Sequence, residues 1–275
     1  MKTVRTVAEL RAALPGQGRV GLVPTMGALH EGHVSLLQRA RPDCDFVVMS
    51  LFVNPAQFGP NEDLDAYPRD EERDARMAEA EGVDLVFAPP VEEVYPPGFA
   101  TSVQVAGLTD VLCGAQRGGH FKGVTTVVAK LLTMVRPDVA YFGQKDAQQA
   151  IVIRRMARDL DMPVEIAVCP TVREPDGLAL SSRNAYLSPE ERQRALALSR
   201  ALRAAQHAVA QGETAADAVL AAARGELGDL DPEYLELRSA EDLSPVERVN
   251  GSTLLAVAAR VGRARLIDNV VLEAK

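Results

Sequence analysis

The chain has 275 residues, of which 47% are hydrophobic and 25% are charged, and its net charge at pH 7 is −8. This balance predicts a folded protein with enough apolar residues for a large core. The negative charge gives no bulk attraction to nucleic acid or anionic lipid, and no apolar run has the length of a membrane span.

Short apolar, β-branched runs alternate with helical patterns between Arg19 and Val168. Strands are predicted for RVGLVPT, DFVVMSLFV, VDLVFAP, TSVQVAG, DVAYFG and PVEIAVCP. Helices are predicted for HVSLLQRARPD up to Pro42, RDEERDARMAEAEG up to Gly82, GVTTVVAKLLTMVRP up to Pro137, and KDAQQAIVIRRMARDL. This alternation indicates an α/β fold with an open, doubly wound parallel sheet, in which ligands bind beyond the carboxyl ends of the strands.

The pattern changes near residue 170, where the turn-rich stretch TVREPDGLALSSRNAYLS begins. A long helix is then predicted with Ser188 as its N-cap, Pro189 as its first residue and Glu191 three residues after the cap. A second helix, TAADAVLAAARGEL, precedes three strand-like runs, PEYLELRSA, STLLAVAARV and RARLIDNVVLE. We therefore expect a first domain over residues 1–171 and a smaller α+β domain with an antiparallel sheet over residues 172–275.

The cysteines and the N-terminus indicate the compartment. Cys44, Cys113 and Cys169 are odd in number and far apart, and no CxxC pair is present. Disulfide bonds are therefore not expected. The N-terminal stretch MKTVRTVAELRAAL carries charges throughout and lacks the apolar core of a signal peptide. These features predict a cytoplasmic protein.

The segment PTMGALHEGH places His30 and His33 where a predicted strand meets a predicted helix. The first-turn amides of such a helix have no intrahelical partners and favour an anion. Two imidazoles one turn apart face the same way and could both donate to phosphate oxygens. A metal site completed by His120, or a purely structural capping role, is also consistent with these residues alone.

The segment FGQKDAQQ has the same layout, with Lys145 and Asp146 at the start of a helix. A lysine opposes the helix dipole there unless an anion is bound, whereas a solvated lysine beside an N-cap aspartate is the simpler alternative. The loop LALSSRN holds two hydroxyls and an arginine. It could wrap a triphosphate or serve as a plain linker.

Two further polar segments follow the same plan. RGGHFKGV contains Arg117 and His120, and FVNPAQF contains Asn54 and Gln57 just past a strand end. Amide side chains recognise hydroxyls and carboxylates without adding charge, and Gln149 is a further candidate together with its neighbour Gln148. Each segment taken singly is equally consistent with ordinary loop polarity. Most of them, however, follow the carboxyl ends of predicted strands in one sheet.

Between Val20 and Asn184 the chain resembles the pantoate–β-alanine ligase family. The resemblance is carried by PTMGALHEGH, FVNPAQF, DLDAYPRD, GHFKGVTTVVAKL, YFGQKDAQQ and TVREPDGLALSSRN. That family belongs to the nucleotidylyltransferase superfamily, with a Rossmann-like domain and a smaller C-terminal lid. The resemblance implies ATP-dependent condensation of (R)-pantoate with β-alanine to pantothenate, AMP and pyrophosphate through pantoyl adenylate. It also implies Mg²⁺ as a cofactor of ATP and a homodimer.

The resemblance implies a role for each matching position. His30, His33, Lys145 and Arg183 would be catalytic groups on the ATP phosphates. Met26, Gly143, Asp146, Val172, Ser181 and Ser182 would bind the nucleotide together with Lys145 and Arg183. Gln57 and Gln149 would hold pantoate, with Asn54, Arg117 and His120 also at the substrate site. Asp74 would lie near the Mg²⁺.

Two positions depart from the family pattern: Gly118 stands where proline is common, and Cys113 stands where glutamate is common. Three other functions are compatible with parts of the sequence. They are nucleotidyl transfer to a phosphorylated acceptor, a zinc hydrolase built on His30, His33 and His120, and a nucleotide sensor without catalysis.

Overall fold

The computed structural model describes residues 1–60, 62 and 64–274. They form a six-stranded parallel sheet and a three-stranded antiparallel sheet. Across these described residues, no helix is both long and apolar enough to cross a membrane. The predicted α/β class, a Rossmann-like doubly wound sheet with a smaller C-terminal α+β unit, is confirmed.

The large sheet has the strand order β1-β4-β3-β2-β5-β6, and all of its pairs are parallel. Its strands are β1 (Lys2–Val4), β2 (Val20–Thr25), β3 (Phe46–Leu51), β4 (Leu85–Phe87), β5 (Val139–Gly143) and β6 (Glu165–Cys169). The chain runs outward from β2 to one side and then from β5 to the other. The switch point of the sheet therefore lies between β2 and β5, where a doubly wound sheet opens a crevice for ligands.

Seven helices accompany this sheet among the described residues. They are α1 (Val7–Ala13), α2 (Glu31–Asp43), α3 (Glu71–Ala80), α4 (Val91–Val94), α5 (Cys113–Gln116), α6 (His120–Val135) and α7 (Ala147–Asp159). Helix α6 is apolar around most of its circumference and contributes the largest share of the core beneath the sheet, as its sequence predicts. Helix α2 ends one residue beyond Pro42, which is tolerated in the last turn.

The C-terminal unit contains helices α8 (Pro189–Ala210) and α9 (Ala216–Gly225) and strands β7 (Pro232–Ser239), β8 (Ser252–Val261) and β9 (Ala264–Glu273). The predicted capping box at the start of α8 is present, since Ser188 and Glu191 bond each other's backbone N–H groups. Alternate residues of β8 pack on opposite faces. Leu254 belongs to the core shared with the large sheet and Leu255 to the core shared with α8. The small sheet is therefore buried on both faces.

Two local predictions differ from the structure. The run TSVQVAG does not form a strand. The N–H of Val103 donates to the Thr126 hydroxyl, and its carbonyl accepts from the Thr125 hydroxyl. Side chains of α6 therefore bond the backbone groups that a neighbouring strand would otherwise have bonded. Conversely, the sequence gives no prediction for α1 or for the edge strand β1. With three residues, β1 has too little periodicity to reveal its pairing with β4.

Candidate active site

Two adjoining cavities, of about 410 Å³ and 250 Å³, open at the switch point and extend toward the small sheet. The smaller one contains the histidine pair, and the larger one lies against β8 and β9. Several residues line both cavities, which makes them one continuous site: Arg117, His120, Lys145, Asp146, Gln149, Ser181 and Arg183. The smaller cavity is lined by all of the predicted site residues except Asp74.

The two histidines cap α2 with their own rings. The Nδ1 atom of His30 accepts from the N–H of Gly32 at 3.1 Å, and Nδ1 of His33 accepts from the N–H of His30 at 3.4 Å. A backbone N–H can only donate, so each Nδ1 must be unprotonated. In both neutral rings the proton therefore lies on Nε2. The capping role and the phosphate role proposed from the sequence are compatible because they use different nitrogen atoms.

Two close approaches in this site require glycine. A Cβ on Gly32 would lie 2.8 Å from Cε1 of His30, so a side chain there would push the ring away from its capping position. A Cβ on Gly123 of α6 would overlap the carbonyl of Ala56 in the turn that carries Gln57. Gly32 thus leaves room for the capping ring of His30, and Gly123 lets α6 approach the turn that contains Gln57.

Burial keeps the site histidines neutral at pH 7. It lowers the pKa of His30 to about 4, with the charge of Lys145 adding to the effect. It lowers the pKa of His33 to about 3, with His30 as the second cause. Burial together with Arg117 lowers the pKa of His120 to about 4. His30 and His33 therefore offer two neutral N–H donors rather than two positive charges.

The pH dependence of stability follows from these shifts. An unfolded histidine binds a proton as the pH falls through 6.5, whereas these folded rings do so only near pH 4 or below. The unfolded state then binds more protons, so the free energy of unfolding should fall as the pH drops from 6.5 to 4.5. Urea unfolding at pH 7.5, 6.5, 5.5 and 4.5 measures this effect.

The pKa of Glu62 is also lowered, but this shift affects stability in a separate pH window. A hydrogen bond from Arg117 lowers the pKa of Glu62 to about 2, so its contribution is lost only below pH 4.5. A His33→Gln variant should show a smaller decrease between pH 6.5 and 4.5 than the native chain. Stability that is constant over that interval would contradict the assigned shifts.

Lys145 and Asp146 occupy a 3-10 turn, Gln144–Asp146, that connects β5 to α7. The Lys145 side chain is 21% exposed and its Nζ lies 3.8 Å from Oδ2 of Asp146. Asp146 stands at the N-cap position of α7, yet its side chain makes no capping hydrogen bond. The simpler alternative of a solvated lysine beside a capping aspartate is therefore not what the structure shows. Both side chains line the cavity.

The loop that follows Val172 is braced internally. Ser181 accepts from the N–H of Arg183 and begins a short 3-10 helix, Ser182–Tyr186. Asn184 donates to Glu174 and to the carbonyl of Ala179. The loop thus presents Ser181, Ser182 and Arg183 to the cavity from an ordered backbone rather than acting as a plain linker.

Asn54 and Gln57 share one hydrogen-bonded unit. The amide of Asn54 donates to Oε1 of Gln57 and to the carbonyl of Gly123, while its oxygen accepts from the hydroxyl of Tyr95. Nε2 of Gln57 donates to Sδ of Met26 at 3.0 Å. Asn54 is buried and bonded to protein at both amide atoms, and one of these bonds holds Gln57. Its place at the substrate site stays a prediction.

The two adjacent glutamines of α7 separate into different environments. Gln148 is buried, accepts from the N–H of Cys113 and donates to the carbonyls of Leu108 and Val111. It therefore organises the loop before α5 from the wall of the larger cavity, and substrate recognition by Gln148 stays a prediction. Gln149 lines both cavities.

Arg117 and His120 are engaged with each other and with Glu62. Arg117 contacts both oxygens of Glu62 at 2.7 and 2.6 Å and places Nη1 2.9 Å from Nε2 of His120. Nδ1 of His120 lies 2.8 Å from the carbonyl of Gln57 and must donate to it. Both nitrogens of His120 are therefore occupied, and it cannot be the third ligand of a zinc site. In the part of the chain that the structure describes, no three His, Cys, Asp or Glu side chains are grouped as metal ligands.

Asp74 is not among the residues that line the two cavities. It is 1% exposed, and its two oxygens accept from the N–H groups of Ala28 and Leu29 at 2.8 Å each. Ala28 has φ +51° and the preceding Gly27 has φ +84°, so this carboxylate holds a left-handed turn in place just before His30. Buried backbone donors thus occupy both oxygens of Asp74, and its place near Mg²⁺ stays a prediction.

The departure at Cys113 is accommodated between the two sheets. Its Sγ lies 3.0 Å from the Tyr234 hydroxyl and 3.5 Å from Nη1 of Arg265. Both partners come from the small sheet, and Cys113 is buried. The cysteine is thus part of the contact between the two units at the wall of the larger cavity.

The departure at Gly118 leads to a stability prediction. A Cβ there would meet nothing within 4 Å, and the φ of Gly118 lies outside the left-handed region. Gly118→Ala should therefore raise the free energy of unfolding by about 0.5–1 kcal/mol, because it restricts the unfolded chain. Urea unfolding measures the change. Gly119→Ala is the matched control, and it should destabilise because Gly119 has φ +80°. Equal effects of the two substitutions would contradict this explanation.

Sequence reasoning missed Asp268 and Asn269 of β9, which are buried at the edge of the cavity. Asn269 bonds the turn of Lys145, and Asp268 bonds Arg173 in the loop after Val172. The available signal was the pair of adjacent polar residues in RARLIDNVVLE, which breaks the expected alternation of an otherwise apolar strand.

Comparison with known proteins identifies the relatives of this chain. The family model described as pantoate-beta-alanine ligase matches residues 2–271. The pantothenate synthetase of Moorella thermoacetica is 57% identical over 280 residues, covering 99% of each chain. That of a Roseiflexus species is 56% identical over 279 residues, covering both chains completely.

Solved structures agree with these sequence relatives. The pantothenate synthetase of Thermus thermophilus superposes with a TM-score of 0.96 at 54% identity, covering 99% of this chain and all of the other. The pantoate-beta-alanine ligase of Francisella tularensis, complexed with beta-gamma ATP and beta-alanine, has a TM-score of 0.81 at 32% identity. That match covers 98% of this chain and 97% of the other.

Proposed function

The chain belongs to the pantoate-beta-alanine ligase family, and from this membership we propose that the cavity between β2 and β5 carries out both steps of its reaction. The enzyme joins pantoate to β-alanine to form pantothenate and uses ATP as a substrate. One observation carries the proposed site: the Nε2–H donors of His30 and His33 share a cavity with Lys145 at the switch point of the sheet.

The phosphates of ATP are proposed to lie across the starts of α2 and α7. His30 and His33 donate neutral hydrogen bonds to phosphate oxygens, and Lys145 supplies the positive charge. Arg183, Ser181 and Ser182 close over the β- and γ-phosphates from the opposite side. The rest of the nucleotide is assigned to a wall formed by Met26, Gly143, Asp146 and Val172.

Pantoate is assigned to the glutamine side of the same cavity. Gln57 and Gln149 recognise its hydroxyl and carboxylate groups, and Asn54 holds Gln57 in place. Arg117 and His120 lie at the rim, where both cavities meet. An anionic group reaching this rim would compete with Glu62 for Arg117.

The chemistry is proposed to proceed in two displacements. A pantoate carboxylate oxygen attacks the α-phosphorus of ATP, the bond to the β-phosphate bridging oxygen breaks, and pyrophosphate leaves. The β-alanine amine then attacks the acyl carbon, the bond to AMP breaks, and the amine loses a proton as the amide forms. Holding two anions together and stabilising the charge that develops on phosphate accounts for the catalysis without a covalent enzyme intermediate.

The unit formed by residues 172–275 is proposed as a lid, with the domain boundary near residue 172. It contributes one wall of the larger cavity through β8 and β9. An acyl adenylate hydrolyses in water, so a wall that closes over the site protects the intermediate.

ATP is proposed to bind as its Mg²⁺ complex, and the cavity contains a carboxylate that suits it. Mg²⁺ in nucleotide sites takes one or two carboxylates together with phosphate oxygens. Asp146 lines both cavities, is half-exposed and is not used as a helix cap. We assign the ion to Asp146 rather than to Asp74. When bound, the metal neutralises phosphate charge.

Two properties are proposed from the family and from the cysteines. The family implies a homodimer, which light scattering of the purified protein tests. Cys44, Cys113 and Cys169 are all free and buried, in keeping with a reducing cytoplasm, which cell fractionation tests.

Pyrophosphate exchange into ATP tests the proposed reaction. Exchange should require pantoate and should proceed without β-alanine, because adenylation precedes amide formation. Exchange that depends equally on a phosphorylated acceptor would instead indicate nucleotidyl transfer. ATP binding without AMP formation, when both substrates are present, would indicate a sensor. Both results would reject the proposal.

A further inference from the structure

Both polar atoms of the Asn269 side chain form hydrogen bonds to the turn that contains Lys145. Its Nδ2 donates to the carbonyl of Gln144 at 2.9 Å and to the carbonyl of Lys145 at 2.8 Å. Its Oδ1 accepts from Nε2 of Gln144 at 2.9 Å. Asn269 is only 5% exposed, so water does not compete for these hydrogen bonds.

No other side-chain hydrogen bond reaches this turn from the residues that the structure describes. Asp146, at the N-cap position, makes no capping bond, and Gln144 directs its amide nitrogen to Asn269. The backbone carbonyls of Gln144 and Lys145 precede the helix and accept hydrogen bonds from Asn269 of β9. The direction in which Lys145 leaves the backbone is thus fixed from the C-terminal unit.

The preceding residue of β9, Asp268, forms a second connection between the C-terminal unit and the phosphate site. Asp268 is 3% exposed and pairs with Arg173 through two bonds of 2.6 and 2.9 Å. Arg173 lies next to Val172, at the start of the loop that presents Ser181 and Arg183. Because successive strand residues point to opposite faces, one strand reaches two walls of the phosphate site.

We propose that Asn269 is a positioning residue for Lys145, so that the C-terminal unit completes the phosphate site through hydrogen bonds as well as by covering it. This inference rests on the proposed function of Lys145. Its ammonium must meet charge that develops on phosphate, and displacement of such a group by about 1 Å costs up to about a hundredfold in rate.

Pyrophosphate exchange of a double-mutant cycle tests the inference. Asn269→Ala in the native chain should lower kcat by about ten- to a hundredfold. In a Lys145→Ala background the same substitution should cost less than about threefold, because the group that it positions is gone. Asn269→Asp keeps the shape but turns a carboxylate toward two carbonyls, so it should lower kcat further than alanine does.

Thr253→Ala is the matched control. Thr253 is a fully buried polar residue of β8 whose hydroxyl bonds within its own unit, to the carbonyl of Asn250. Its loss should lower stability and leave kcat near the native value. Gln144→Ala removes only one bond to Asn269 and leaves β9 intact. It should reduce kcat to a smaller extent, and it keeps the test decisive if the Asn269 variants do not fold.

The outcomes separate the two proposals. A native kcat in folded Asn269→Ala, or in Gln144→Ala if the former does not fold, overturns the positioning role. A full loss that persists in the Lys145→Ala background also overturns it, since Asn269 would then act on something else. A native kcat in Lys145→Ala alone overturns the proposed phosphate role of the lysine, and this result is obtained without any Asn269 variant.

Discussion

Lys145→Ala is expected to lower the rate of pantoate-dependent pyrophosphate exchange at least ~100-fold, the scale of losing one electrostatic contact to a transition state. Lys145 lies at the carboxyl end of β5, is mostly buried and faces a cavity that also contains His30 and His33. Its positive charge lies at the positive end of the α7 dipole. This arrangement is unfavourable in the free protein and becomes favourable when an anion is bound. The exchange rate at saturating ATP and pantoate measures the loss.

Lys122→Ala is the matched control for this experiment. Lys122 stands in the first turn of α6 and is exposed, so its removal changes the net charge equally without altering the cavity. It should exchange pyrophosphate at the native rate. A near-native rate for Lys145→Ala would remove Lys145 from the mechanism, and equal losses for both lysines would reduce the effect to one of overall charge.

Substitution of His33 by asparagine and by glutamine should separate its two nitrogen atoms. Asparagine places an oxygen where Nδ1 accepts from the N–H of His30, but it has no donor at the position of Nε2. Glutamine places an N–H near the position of Nε2 and loses the acceptor. If Nε2–H contacts phosphate, His33→Asn should lower exchange by about a hundredfold.

The glutamine variant should retain more activity. We expect His33→Gln to keep exchange within about tenfold of native, while losing the cap should destabilise it by about 1 kcal/mol. Exchange assays and urea unfolding of both variants are the measurements. His207→Asn is the control, since His207 is exposed on α8 and lies outside the cavity. Higher activity for asparagine than for glutamine would show that the capping nitrogen, and not Nε2, matters for the reaction.

The elements that could be predicted are those whose own residues are sufficient to define them. Strands β2 and β3 are continuous apolar runs because a parallel sheet is covered on both faces. Helix α8 begins at a capping box whose members are three residues apart. Strand β1 was not predicted, and the strand predicted for TSVQVAG is absent, because the structure of each segment depends on a partner distant in sequence. Strand β1 forms by pairing with β4. In TSVQVAG, two hydroxyl groups of α6 bond the backbone in place of a neighbouring strand.

The candidate site divides in the same way. Residues at strand-to-helix junctions were identifiable, since a junction is a local pattern and such junctions meet at one edge of a sheet. The hydrogen bonds of Asp74 could not be predicted because its partners Ala28 and Leu29 lie about 45 positions away. Asn269 was missed because it bonds a turn 124 positions away.

Local residue patterns are sufficient to predict the periodicities of the strands and helices, their order, and the position of His30, His33 and Lys145 at helix starts. The protonated ring nitrogen, the buried carboxylate and the amide bonded inside the protein depend on packing. This is because buried polar groups must find hydrogen-bond partners. For Asp74 and Asn269 those partners are assembled only when distant segments pack together.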